Sequence, residues 1–209
     1  MEGDTNIVYI VERDTTLQEQ IEFLLIEHGY AVQSFSSVED FLSHTDLTDT
    51  GCVLAEAEIP DVNPIELLNR LRDVDSALRL VITSDKPNVS MVVDAFNNGV
   101  SSFIEKPFKT DELLERIDRA IALSESALDE KTERKVLLKR ADSLTAREKE
   151  ILCMIVDGMT TKQVARELEI SSRTVETHRA NMMKKAGLAN LADLVGFAIR
   201  AKLCEDQDN

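Results

Sequence analysis

The chain of 209 residues lacks the residue combinations that mark the common kinds of enzyme active site. Its three histidines, His28, His44 and His178, are far apart in sequence, and no Ser/His/Asp set is evident. None of its 7 glycines belongs to a glycine-rich loop of the kind that cradles phosphates. We therefore expect that the protein is not a free-standing enzyme.

Cysteine is equally scarce. Cys52, Cys153 and Cys204 match no C-x-x-C spacing typical of a metal or redox site. We expect all three to be reduced and structural, because unpaired cysteines are usually buried like small apolar residues. The sequence predicts no metal site and no cofactor.

The sequence also lacks a long hydrophobic run. No apolar stretch is long enough to cross a bilayer, and no signal-peptide pattern is present. We therefore expect a cytoplasmic protein with no membrane partner. Its hydrophobic content of 43% is still sufficient for a core, and its length suits one large domain or two small ones.

The net charge of −15 is distributed unevenly. Residues 1–124 carry 24 acidic and 9 basic side chains, whereas residues 143–203 carry 7 acidic and 10 basic ones. Residues 125–142 are neutral, and the tail 204–209 adds three acids. This contrast favours two domains with different partners, although acidity alone also confers solubility.

Strand-like apolar runs alternate with helical spacings through the first 120 residues. The predicted strands are Ile7–Val11, Ala31–Phe35, Cys52–Ala55, Leu78–Thr83 and Ser102–Glu105. Five strand–helix units predict a parallel sheet with helices on both faces, which binds ligands at its carboxyl edge. The polar residues that follow the strands at that edge are Glu12, Arg13, Glu56, Thr83 and Lys106.

Four segments of this region, IVYIVERD, VLAEAEIPD, LVITSD and FIEKPF, resemble the markers of the receiver domains of bacterial response regulators. The resemblance covers about residues 6–123 and implies a flavodoxin-like (βα)5 fold. In that family, two acids after the first strand and an aspartate after the third bind Mg²⁺, and the aspartate accepts a phosphoryl group. Thr83 and Lys106 would then hold this group, Phe103 would be the aromatic switch residue, and Lys106–Pro107 would be a cis peptide.

Three features of the family pattern are altered, at four positions. Glu56 stands in place of the phosphoacceptor aspartate, Glu12 and Arg13 replace the acid pair, and Pro64 replaces a usual glycine. The formal charge of the pocket changes from −3 to −1, and arginine cannot ligate a metal. We therefore predict a degenerate receiver that does not bind Mg²⁺ and is not phosphorylated by the usual route.

Two interpretations of Glu56 remain open. It could reach Lys106 and Thr83 and imitate a phosphoaspartate, or it could form a charge-compensated cluster with Glu12 and Arg13. The Arg13 guanidinium could occupy roughly the space of Mg²⁺ and fork onto Glu56 or Glu12.

The helix that begins near Thr110 should continue without a break, because residues 124–142 contain no glycine or proline. We predict a helical linker there, between a receiver-like domain at 1–123 and a second domain at 143–209. The linker could be a solvated tether or a short two-helix dimer contact. The positions available for such a contact are Leu128, the Lys131 stem, Val136 and Leu138.

The second domain begins with a capping box at Thr145–Glu148 and contains another at Thr160–Gln163. A helix follows each box, a third helix is predicted at about 173–185, and a fourth at about 191–202. This four-helix arrangement contains a helix-turn-helix motif. Residues 143–203 resemble the LuxR-type helix-turn-helix domain of the NarL/FixJ response-regulator group, whose third helix reads DNA and whose last helix dimerises.

This second resemblance implies two sets of DNA-binding residues. Base-edge contacts would come from Glu176, Thr177 and Ala180. Phosphate contacts would come from Lys162, Arg173, Thr174, His178, Arg179, Lys184 and Lys185. Alternatively, His178 and Arg179 could pack against the neighbouring helix, Glu176 could simply be solvated, and the two lysines could be ordinary surface residues.

The leading hypothesis is a sequence-specific transcription regulator that binds double-stranded DNA as a homodimer and does not depend on phosphorylation. The receiver, the linker or the last helix could form the dimer. One alternative is a receiver that is still phosphorylated. Another is a receiver that serves mainly as a protein- or ligand-interaction module and thereby controls DNA binding.

Overall fold

The computed structural model describes residues 6–59 and 62–204. The chain forms two compact units that divide between Asp129 and Glu130, which lies within the predicted linker. In the described part of the chain, no helix is long and apolar enough to span a membrane.

A parallel sheet of five strands, in the order β2-β1-β3-β4-β5, forms the centre of the first unit. The strands are β1 Ile7–Val11, β2 Ala31–Phe35, β3 Cys52–Glu56, β4 Arg79–Ser84 and β5 Ser102–Glu105. The strand order reverses at β1, which pairs with both β2 and β3. The predicted flavodoxin-like fold is therefore confirmed. Three strand boundaries differ from prediction, since β3 includes Glu56 and β4 begins at Arg79 and extends to Ser84.

Helices cover both faces of the sheet. They are α1 Thr15–Glu27, α2 Val38–His44, α3 Pro64–Asp73, α4 Val89–Asn97 and α5 Thr110–Asp142. Asp14, Ser37, Asn63 and Asn88 cap the first four through their side-chain oxygens. Pro64 occupies the first turn of α3, where its missing N–H removes no helical hydrogen bond, so proline suits this position.

Alternate side chains of the strands pack into two cores, one on each face. On β1, Val8 and Ile10 pack with Leu113 of α5, whereas Tyr9 and Val11 belong to the core on the opposite face. Since apolar side chains occupy both faces, polar residues of the strands concentrate at their carboxyl ends.

The prediction of an unbroken helix through the linker is confirmed, because α5 runs for 33 residues from Thr110 to Asp142. Ile117 is buried in the first unit. Several large apolar side chains of α5 are exposed, namely Leu123, Leu128, Val136 and Leu138.

The second unit is helical after α5. It contains α6 Ala146–Val156, α7 Thr161–Glu167, α8 Ser172–Ala186 and α9 Leu191–Arg200. Both predicted capping boxes are formed, at the starts of α6 and α7. Gly187 ends α8 in the left-handed conformation, with φ of 66°, which glycine adopts at little steric cost.

One apolar core joins these helices. Ile151 of α6, Val164 of α7, Val175 and Met182 of α8, and Phe197 of α9 are all buried in it. Because Val175 and Met182 face the core, the opposite side of α8 is turned to solvent.

The expectation that all three cysteines are reduced is wrong. Cys153 on α6 and Cys204 after α9 form a disulfide, with their Cα atoms 5.3 Å apart, and only Cys52 is free and buried. Folding of the second unit brings the two cysteines together across 51 residues. Spacing rules for local motifs carry no information about such a distant pair.

Candidate functional site

The carboxyl ends of four strands bring the predicted polar residues to one edge of the sheet. Glu56 ends β3 and is the register partner of Thr83 on β4. Glu12 directly follows β1, and Lys106 directly follows β5. These four residues are at least nine-tenths buried, so residues 94 positions apart share one pocket.

Lys106 is the centre of this charge cluster. Its Nζ donates a hydrogen bond to Glu12 Oε2 at 2.6 Å and lies 3.5 Å from Glu56 Oε1. Asp85 Oδ2 lies 4.0 Å from the same nitrogen, at the exposed edge of the pocket. Glu12 Oε1 also accepts the backbone N–H of Asp14 at 3.1 Å. Both oxygens of the Glu12 carboxylate are therefore hydrogen-bonded.

Arg13 does not form the predicted fork. Its side chain is 50% exposed, and its Nε lies 3.8 Å from Glu56 Oε2, which is beyond hydrogen-bond distance. One terminal nitrogen instead donates to the backbone oxygen of Glu58 at 3.1 Å. Lys106 can reach both glutamates because it enters the pocket from β5, whereas Arg13 lies at the solvent edge.

The environment of Glu56 disfavours its charged form. Burial raises the pKa of this carboxyl, and the nearby Glu12 carboxylate raises it further, although Lys106 opposes both. For Lys106, burial lowers the pKa, but Glu12, Glu56 and Asp85 outweigh this effect and the net pKa is raised. Within the described residues, Glu56 Oε2 has no hydrogen-bond donor. The negative charge of Glu56 is therefore less well compensated than that of Glu12.

We predict that Glu56→Gln stabilises the receiver by about 1 kcal/mol at pH 7.5. A carboxyl with a raised folded-state pKa contributes stability below its ordinary value of 4.5, and this contribution is lost as pH rises through the folded-state pKa. The gain should therefore be larger at pH 7.5 than at pH 5, as measured by chemical denaturation of the full chain. Glu58→Gln, at an exposed position, is the matched control. A destabilised Glu56→Gln protein at pH 7.5 would contradict this account.

The pocket does not suit Mg²⁺. This cation requires several free oxygen ligands in octahedral geometry, but Glu12 is already bonded to Lys106 and a backbone N–H. Arg13, which stands at the second acid position, has no side-chain atom that can ligate a metal. Among residues 6–59 and 62–204, no group of three or more His, Cys, Asp or Glu side chains could hold a metal ion.

The remaining receiver markers occupy their expected places. The Lys106–Pro107 peptide is cis, as the resemblance implies. Phe103 is partly buried and lines a cleft of about 570 Å³ together with Met91 and Ala95 of α4. Thr83 is buried, but its side chain makes no hydrogen bond to Glu56 in the described structure. Glu56 thus approaches Lys106 without engaging Thr83.

The second candidate site is the solvent face of α8. Most predicted contact residues are exposed there, namely Arg173, Thr174, Glu176, Thr177, Ala180 and Lys184, and Lys162 is exposed on α7. The hydroxyl of Thr177 donates to the backbone oxygen of Arg173 at 3.0 Å, which leaves its methyl group and oxygen on the surface. A convex face with short central side chains and cations at both ends suits the major groove of DNA.

Two predicted phosphate contacts, Arg179 and Lys185, are also bonded within the protein, and a third, His178, is partly buried. His178 and Arg179 are only partly exposed, and Arg179 donates to the hydroxyl of Thr161 on α7 at 3.2 Å. Lys185 donates to Glu148 Oε2 at 2.7 Å. Arg179 therefore helps to join α7 and α8, as the packing alternative supposed, and Lys185 links α8 to α6.

Sequence reasoning missed the role of Glu148. Its capping box was evident, but its side chain is also buried and paired with a lysine 37 positions away. The only available signal was the excess of lysine in the last turn of α8, where Lys184 and Lys185 are adjacent. Nothing in the sequence distinguishes which of them bonds to Glu148.

Comparisons with known proteins match both parts of the chain. Residues 8–118 match the response regulator receiver domain family, and residues 142–198 match the luxR family of bacterial regulatory proteins. Transcriptional regulatory protein FixJ of Bradyrhizobium diazoefficiens is 32% identical, covering 95% of this chain and 97% of that protein. Response regulator protein TodT of Pseudomonas putida is 29% identical, covering 97% and 89%.

A solved structure of the response regulator StyR matches with a TM-score of 0.84 and 29% identity, covering 94% of this chain and 99% of that one. The two family matches occupy the two structural units, and the FixJ similarity spans nearly both complete chains. The chain therefore belongs to the response regulators and joins a receiver domain to a LuxR-type DNA-binding domain.

Proposed function

We propose that this protein is a sequence-specific transcription regulator whose degenerate receiver works without phosphorylation and which binds double-stranded DNA as a homodimer. The observation that carries the proposal is the 2.6 Å bond between Lys106 and Glu12. In receivers the corresponding lysine holds the phosphoryl group. Here it is already bound by a buried carboxylate and also faces Glu56.

The chemistry of phosphoryl transfer supports this proposal. Transfer to a carboxylate requires a metal ion to neutralise developing charge and an acceptor oxygen in line with the leaving group. The first requirement conflicts with Arg13 and with the bonded state of Glu12. Glu56 also has a poorly compensated charge, because it lies 3.5 Å from Lys106 and has a second oxygen without a donor.

Of the two interpretations of Glu56, we favour a modified ion cluster. A phosphoaspartate mimic should engage both Lys106 and Thr83, whereas Glu56 approaches only Lys106. The cluster differs from the predicted one because Lys106 compensates Glu12 and Glu56, while Arg13 remains at the edge. We therefore propose that the pocket stabilises one receiver conformation permanently.

The absence of a phosphorylation step can be tested by mass spectrometry. We predict no covalent mass increase when the full chain is incubated with Mg²⁺ and acetyl phosphate. Restoration of the family residues, in the triple variant Arg13→Asp, Glu56→Asp and Glu12→Asp, should give partial phosphorylation of residue 56. A stable phosphoryl adduct on Glu56 of the unmodified protein would instead favour a working switch with unusual chemistry.

DNA binding is assigned to α8 with support from α7. Arg173 and Lys184 lie exposed at the two ends of α8, and Glu176, Thr177 and Ala180 lie exposed between them. The phosphate contacts would come from Lys162, Arg173, Thr174 and Lys184. We propose a smaller role in DNA binding for His178, Arg179 and Lys185. Arg179 and Lys185 already bond to Thr161 and Glu148 within the protein, and these contacts compete with phosphate binding.

We predict different effects for two substitutions on this face. Lys184→Ala should weaken binding to all duplexes by about 3–10-fold and reduce the salt dependence by about one ion per copy. Thr177→Val keeps the side-chain shape and should change sequence preference with little effect on the salt dependence. The measurement is selection from a random DNA pool with the unphosphorylated full chain, followed by titration at several salt concentrations.

Lys109→Ala, at an exposed receiver position, is the charge-matched control for Lys184→Ala and should leave both quantities unchanged. If the unphosphorylated protein selects no sequence, the proposal of phosphate independence fails. If Lys184→Ala behaves like the control, the assignment of the binding face fails.

The homodimer is proposed from exposed apolar side chains. On α9, Leu191 and Ile199 are exposed, and Ile199 is 60% accessible. Two copies on one duplex would also compensate for the small positive charge of residues 143–203, because each copy offers few free cations.

The proposed domain limits are 1–123 for the receiver, 124–142 for the linker and 143–209 for the DNA-binding domain.

A further inference from the structure

The disulfide between Cys153 and Cys204 joins a buried cysteine to a partly exposed one. Cys153 lies within α6, where its side chain is 5% exposed beside the helical core. Cys204 follows the turn after α9 and is partly exposed. Their Cα atoms are 5.3 Å apart, within the range that a disulfide requires.

Backbone hydrogen bonds also attach the last described turn to α9. Lys202 N–H donates to Ile199 O at 3.1 Å, and Leu203 N–H donates to Ala198 O at 3.1 Å. Leu203 and Cys204 are partly buried against the core of the second unit. The disulfide is therefore the covalent link between this turn and α6.

The core of the second unit consists mainly of other side chains. Ile151, Leu152, Val175 and Phe197 are buried in it and are each at most 1% exposed. A reduced Cys153 would remain a small apolar side chain at the same site, which proteins accommodate readily. Both redox states are thus compatible with the same fold, and they differ in how firmly the last turn is attached.

From this placement we propose that Cys153 and Cys204 are a reversible redox modification site, which exchanges with a low-molecular-weight disulfide and thereby clamps or releases the end of α9. The proposal is independent of DNA binding and of phosphorylation. Cys204 is the entry point for exchange because it is the more accessible sulfur.

The exchange proceeds in two balanced steps. The Cys204 thiolate attacks the small disulfide, forms a mixed disulfide and releases one small thiolate. The Cys153 thiolate then attacks the sulfur of Cys204, forms the internal disulfide and releases the second small thiolate. The protein loses two electrons and two thiol protons, while the small disulfide gains the electrons and is reduced to two thiols.

The test uses the full chain equilibrated with glutathione and glutathione disulfide at varied ratios, quenched in acid, denatured and alkylated. We expect three alkylated cysteines under reducing conditions and one, Cys52, under oxidising conditions, with a single transition. Cys204→Ser should abolish the transition and leave Cys153 either reduced or in a mixed disulfide with glutathione. Cys52→Ala is the matched control, because this thiol is fully buried in the other unit and should not affect the transition.

Hydrogen exchange gives the second readout. Reduction should increase exchange of the amides of Ala201, Lys202 and Leu203 by at least about 10-fold, while those of β1 remain unchanged. Three alkylated cysteines at every glutathione ratio would overturn the proposal, as would a glutathione adduct on Cys204 as the stable end product. Unchanged exchange at residues 201–203 on reduction would overturn the clamping role.

Discussion

Lys106→Met should destabilise the receiver by about 3–5 kcal/mol at pH 7.5, the largest effect of any single substitution in the pocket. Lys106 is the buried cation that faces both Glu12 and Glu56, and its side chain is 5% exposed. Its removal leaves two carboxylates buried together, and the cost of burying an unpaired charge far exceeds the value of an exposed ion pair. The measurement is denaturant unfolding of the full chain, with the receiver transition resolved.

The loss of stability caused by Lys106→Met should depend on pH. In the Lys106→Met protein, protonation of Glu56, whose pKa is already raised by burial and by Glu12, relieves part of the unpaired charge, so the loss should shrink as pH falls from 7.5 toward 4.5. The triple variant Lys106→Met, Glu12→Gln and Glu56→Gln should recover most of the lost stability at neutral pH, because no buried charge remains. A loss that is independent of pH, or that the triple variant does not recover, would show that packing of the lysine stem matters more than its charge.

Glu148→Ala should destabilise the second unit by about 2–3 kcal/mol. One Glu148 oxygen accepts the Thr145 N–H at 2.8 Å and also the Lys185 ammonium at 2.7 Å. The substitution removes the capping box of α6, the ion pair with the end of α8, and a side chain that is 4% exposed. The measurement is the unfolding transition of the second unit in the full chain.

Glu148→Gln separates the contribution of the capping box from that of the ion pair with Lys185. Glutamine keeps the capping box but loses the ionic bond to Lys185, so it should cost only about 1 kcal/mol. Burial raises the pKa of Glu148, but hydrogen bonds from Lys185 and Thr145 outweigh it and the net pKa is lowered. Glu148 therefore contributes stability above its ordinary value of 4.5, which is lost as pH falls through the folded-state value. Equal losses for alanine and glutamine at neutral pH would contradict a capping role.

Local sequence patterns were sufficient for the elements of both units. Alternation of apolar runs and helical spacings predicted five strands, and the boxes at Thr145 and Thr160 predicted where α6 and α7 begin. These signals are reliable because a cap or a strand depends on residues within a few positions of one another. Parallel strands also end at a common edge, so Glu12, Glu56, Thr83 and Lys106 could be placed together before their contacts were known.

The pairing of charges and sulfurs was decided by tertiary structure. Both Arg13 and Lys106 could have neutralised the glutamates, and the direction from which each side chain enters the pocket selected Lys106. The disulfide across 51 residues and the Glu148–Lys185 bond across 37 likewise depend on helix packing. By itself, the sequence determined the order of the elements and the residues at each end. Only the folded chain determined which partners meet, because distances between remote side chains are set by packing and leave no local pattern.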